Sequence, residues 1–64
     1  MLRYVVVIFN NGEMPDWWDY SGVEHKTKRD AMHELAIAKT DRSITERHFT
    51  PEIIEREVLP NDNR

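Results

Sequence analysis

The residues that could do chemistry in this 64-residue chain are few and scattered. Three histidines, His25, His33 and His48, raise the question of metal binding, because neutral imidazole is a good ligand. Asp30 and His33 stand one helical turn apart, with Glu34 adjacent. No second histidine-bearing segment follows at a ligand spacing, so surface histidines are the expectation and no metal is expected. Ser21 and Ser43 lack the glycine-flanked elbow that presents a nucleophile. Gly12 and Gly22 form no phosphate-cradling loop. Asp16 and Asp19 could pair as carboxylates, but acid–base work needs environments that separate their pKa values. Both fall in an exposed loop-edge region, and so short a chain rarely builds a deep pocket. The expectation is a protein that is not an enzyme and carries no cofactor.

Binding chemistry is better represented. Residues 10–24 hold Glu13, Asp16, Asp19 and Glu24 and no lysine or arginine. Trp17, Trp18 and Tyr20 are interleaved with these acids. That pattern suits a basic partner, with charge steering encounter and aromatic rings supplying affinity. The plainer reading is a solvated loop whose rings pack on the domain's own edge. Lys26, Lys28 and Arg29 cluster just beyond and could meet phosphate at a helix N-terminus. Three cations in a chain of net charge -3 match no nucleic-acid motif, so this is the alternative reading.

The elements that must position these groups follow from pattern. Tyr4, Val5, Val6, Val7, Ile8 and Phe9 form a β-branched and aromatic run, which predicts a strand over residues 3–9. Asn11-Gly12 then favours a type I′ hairpin. A two-residue turn there sets Phe9 opposite Met14, Val6 opposite Trp17 and Val5 opposite Trp18. Pro15 cannot donate to a ladder, so a longer loop is the alternative. A second, edge strand is expected around residues 16–21. Thr27-Lys28-Arg29-Asp30 resembles a capping box and opens a helix. Its apolar arc is Ala31, Met32, Leu35, Ala36 and Ala38, with His33, Ile37 and Thr40 facing away. Thr50-Pro51-Glu52 could start a second helix. A strand over residues 53–59, ended by Pro60, accounts for Ile53, Ile54, Val58 and Leu59 at least as well, and strand is the expectation.

The expected fold is α+β, a ββαβ chain with a three-stranded sheet in order 2-1-3 and one helix on one face. It occupies residues 1–59 as a single domain, with residues 60–64 a flexible tail. Alternate residues of a strand point to opposite faces, and one helix covers one face. The helix is expected over Tyr4, Val6, Ile8 and Trp17. Val5, Val7, Phe9, Met14, Trp18 and Tyr20 are then left open, and with Asp16 and Asp19 they make the expected partner-binding surface. Its occupant would be a protein partner or a second copy of the chain.

Composition bounds these readings. A chain of 64 residues buries only about 60% of its unfolded surface, so its stability is marginal. There is no cysteine, so neither disulfides nor thiolate metal sites can staple it. The apolar run ending at Phe9 is far shorter than the roughly 20 residues a membrane span needs. No signal peptide is recognisable, so a cytoplasmic protein that contacts no membrane is expected.

Three stretches resemble small phage- or prophage-encoded accessory proteins. They are the strand ending in Asn10-Asn11-Gly12, the helix opening Thr27-Lys28-Arg29-Asp30-Ala31, and the closing Ile53-Ile54-Glu55-Arg56-Glu57-Val58. The resemblance implies a short, single-helix sheet that works by binding a host enzyme, as a phage inhibitor of bacterial RNA polymerase does. It is one of size and architecture and carries over no functional residue.

Overall fold

The computed structural model describes residues 1–59, so the tail expected at residues 60–64 lies outside the described residues. Strand β1 runs Leu2–Asn10 and β2 runs Asp16–Asp19. Helix α1 spans Lys28–Thr40, a short α2 spans Arg42–Thr45, and β3 spans Phe49–Glu57. The sheet order is β2-β1-β3, with β1 antiparallel to both neighbours. The fold is the expected α+β sheet with one main helix.

The hairpin register departs from the two-residue turn. Phe9 pairs with Trp17, Ile8 with Trp18 and Val7 with Asp19. Asn11 and Gly12 lack the positive φ that a type I′ turn requires. Instead Gly12 N–H donates to Asn10 Oδ1 at 2.9 Å, a local turn that competes with the hairpin geometry. Pro15 stays outside the ladder, and residues 11–15 form the longer connection. The pairing is displaced by three positions, and an odd displacement reverses the face each side chain meets.

After Tyr20 the chain leaves β1 and rejoins it at His25, which bridges Tyr4 with two backbone bonds of 2.8 Å. Gly22, at φ 82°, turns this outward bulge where a side chain would be strained.

Backbone bonds also place Pro51. Tyr4 bonds His25, and Val6 O accepts from Tyr20 N–H, so even positions of β1 face β2. Asn11 N–H donates to His48 O and Val58 N–H to Met1 O, so odd positions of β1 face β3. Even positions of β3 therefore bond β1, and its odd positions point outward. Pro51 is odd, and its missing N–H falls on the open edge at no cost to the ladder. That is why β3 begins at Phe49 instead of the expected 53, and why Thr50-Pro51 does not start a helix.

The core lies on the face of Val6 and Ile8, joined by Ala38 and Ile44 and flanked by Tyr20, Leu35, Phe49 and Ile53. Thr27 Oγ1 accepts from Asp30 N–H, capping α1 as its sequence predicts. Only Ala31, Leu35 and Ala38 of the expected apolar arc turn inward. Met32 and Ala36 are exposed, which corrects that arc. Asp41, which no sequence signal singled out, joins the two helices. Its N–H donates to Ala38 O, and its carboxylate accepts from Ser43 N–H to open α2. The resulting turn carries Ile44 into the core.

Candidate functional site

The opposite face of β1 presents Arg3, Val5, Val7 and Phe9. Trp17 and Asp19 of β2 and Thr50, Glu52, Ile54 and Arg56 of β3 lie beside them. Val5 and Val7 were expected to be open, yet both are 0% exposed. Both helices serve the other face, so the cover comes from within the sheet. Arg56 donates from both terminal nitrogens to the two oxygens of Asp19, at 3.0 and 2.8 Å. The pair joins β3 to β2 across the central strand, between the Arg3 and Val7 positions. Bidentate geometry makes it stiffer than an ordinary surface pair, and the arginine stem adds apolar cover.

That pairing holds the Asp19 carboxyl below its ordinary value, the arginine hydrogen bond outweighing the opposing desolvation. A depressed carboxyl stabilises the fold fully above the ordinary aspartate value, and this contribution is lost as pH falls through the folded value. Arg56→Met is therefore expected to flatten the acid limb of the urea-midpoint-versus-pH curve. Asp41, held low chiefly by the Ser43 hydroxyl and then by Tyr20, keeps part of that limb. An unchanged acid limb in Arg56→Met would assign the Asp19–Arg56 pair no electrostatic role.

The displaced register redistributes the aromatics. Trp18, expected on the open face, shares the Ile8 face and meets Phe49 edge-on, with centroids 5.1 Å apart. Trp17, expected under the helix, lies on the face away from the helices, beside Phe9 at 6.4 Å. Tyr20 belongs with Val6 on the helix side, and its hydroxyl donates to Asp41 at 2.8 Å. Phe9, Trp17, Trp18 and Phe49 thus straddle both faces of one end of the sheet. Trp17 is 52% exposed and Trp18 38%, and Met14 stands almost free in the adjoining loop.

The loop supplies this end with charge and stiffness. Asn11 Nδ2 donates to Thr50 Oγ1 at 2.8 Å, tying the loop to β3. Asp16 Oδ1 accepts from Trp17 N–H at 2.8 Å, and its second oxygen takes no hydrogen bond among the described residues. Glu13 is exposed beside it. Arg47 occupies the Phe49 ring, 6.0 Å from its centroid, so the open aromatic surface is on the Trp17 side.

A second polar group lies between the bulge and α1. Glu34 takes a hydrogen bond from Ser21 on one oxygen, and His25 Nε2 lies 2.6 Å from the other. The carboxylate is the hub, so the imidazole is not on the serine and cannot act as its base. Val23 N–H donates to Ser21 Oγ, which closes the bulge on itself. The group pins residues 21–25 to the helix. His33 and His48 are exposed and stand apart from it. Among the described residues no three His, Cys, Asp or Glu side chains converge to hold a metal.

Lys26, Lys28 and Arg29 are all exposed around the start of α1. Thr27 already engages the Asp30 N–H, and Asp30 itself offsets the positive helix end. Among the described residues no helix is long and apolar enough to cross a membrane. No protein-family model, curated protein or solved structure matches the chain.

Proposed function

We propose that the chain is a non-enzymatic interaction module that takes a basic segment of a protein partner at the aromatic end of its sheet. Phe9, Trp17 and Met14 would supply contact area, and Glu13 and Asp16 would steer and orient the cations. One observation carries this reading. Two consecutive tryptophans on an edge strand stay exposed, on opposite faces, within a stretch that holds no lysine or arginine. Large apolar rings rimmed by acids are what a binding surface offers and a solvated loop does not need. The phage-accessory resemblance would make the partner a host protein.

The test is tryptophan emission during titration with a Lys/Arg-rich peptide bearing one leucine, at low and high salt. A blue shift that salt weakens is expected, and Trp17→Ala and Asp16→Lys should each weaken the peptide's binding. An emission unchanged up to millimolar peptide would remove the proposal. Duplex DNA serves as the second arm. Retention on DNA that Lys28→Glu and Arg29→Glu abolish would favour the nucleic-acid reading instead.

A further inference from the structure

The edge of the sheet away from the tryptophans carries its own unfilled surface. Among the described residues, the outward N–H and C=O groups of β3 belong to Phe49, Ile53, Glu55 and Glu57, with Pro51 supplying only a carbonyl. An open edge of this length is a template for another strand. The helix adds to it. Glu34 faces the Ser21–His25 bulge on the β2 side of α1. Lys28 lines a groove with Tyr4, Ile53 and Glu55 on the β3 side. Met32 follows Lys28 by one turn on the β3 flank, while Ala36 lies further out beside Arg29 and His33. Met32 is 55% exposed there, although its spacing reads as core. An open strand edge and an exposed apolar helix flank therefore run side by side.

We infer that this edge and flank form a twofold interface with a second copy of the chain. The charge pattern of β3 selects the register. Centring the antiparallel pair on Glu55 or Arg56 sets like charges directly opposite. Centring it on Ile53 puts Pro51 against the partner's Glu55 and loses hydrogen bonds at the middle of the ladder. Centring it on Ile54 sets Ile54 against the partner's Ile54 and no like charges opposite one another, Glu52 facing the partner's Arg56, whose guanidinium stays with Asp19. The flanking pair, Ile53 with the partner's Glu55, exchanges two backbone bonds and repeats by symmetry. The partner's Glu55 then reaches the groove that Lys28 lines. The two helices lie antiparallel on one face of a six-stranded sheet, Met32 toward its counterpart. The interface is isologous and closed, so it ends at two chains. It lies on the opposite edge from β2 and stands or falls independently of the peptide site.

Sedimentation equilibrium of the full chain, from micromolar to millimolar, tests this directly. The expected mass is that of two chains, each 7.7 kDa. Glu55→Pro removes one outward N–H and leaves the β1 ladder intact, so a monomer with unchanged far-ultraviolet circular dichroism is expected. Glu52→Lys alters only an exposed side chain, and should weaken the dimer by about tenfold by opposing the partner's Arg56 twice. A single-chain mass throughout the concentration range would overturn the inference. So would a dimer that neither Glu55→Pro nor Glu52→Lys weakens, because that dimer uses another surface.

Discussion

Ile8→Ala should destabilise the fold by about 3 kcal/mol, the usual range for emptying a well-packed aliphatic site being 2–5. Ile8 is 0% exposed and central to the cluster of Val6, Ala38 and Ile44. The same cluster receives Phe49 and Ile53 from β3 and Tyr20 from the β2 side, so the site cannot collapse by moving one neighbour. A domain of this size has roughly 3–10 kcal/mol of total stability. The urea transition of Ile8→Ala should therefore lose most of its folded baseline at 25 °C. A midpoint within error of the parent would mean that the helical layer does not seal this face.

Val5→Ala is the second large effect, expected at about 2 kcal/mol for the lost methyl groups and the cavity left behind. It separates two views of the sheet. If the face opposite α1 were open, truncating Val5 would change stability little. Here Val5 is 0% exposed and Arg56 is tied to Asp19 across it. Urea unfolding of Val5→Ala beside a surface control, Ile37→Ala, makes the measurement internal. Equal midpoints for the two variants would return the Val5 face to solvent.

Both predictions turn on what the sequence can and cannot convey. The six-residue β-branched and aromatic run announces β1, and Thr27 announces the start of α1, because these are local preferences of backbone and cap. The order β2-β1-β3 follows from a strand apolar on both sides and a helix crossing between the other two. The acidic-aromatic segment is equally legible, since it needs only composition. Helix α2 is not: Asp41 is an unremarkable acid until its carboxylate meets the Ser43 N–H and the Tyr20 hydroxyl. Pro15 was the available signal for the hairpin, because it cannot sit inside a ladder that the two-residue turn would require.

Local patterning is enough to read the strands, the main helix, their order and the uneven placement of charge. Each depends on residues near one another along the chain. Which tryptophan faces which side emerges only when the strands pair. Alternation along a strand is local, but its phase against the neighbouring strand is set by hydrogen bonds to that strand, and three positions of displacement invert it. Likewise only the fold could show that Val5 and Val7 are sealed. Their lid is built from Asp19 and Arg56, 37 residues apart in sequence, which become partners only after β1 has come between them.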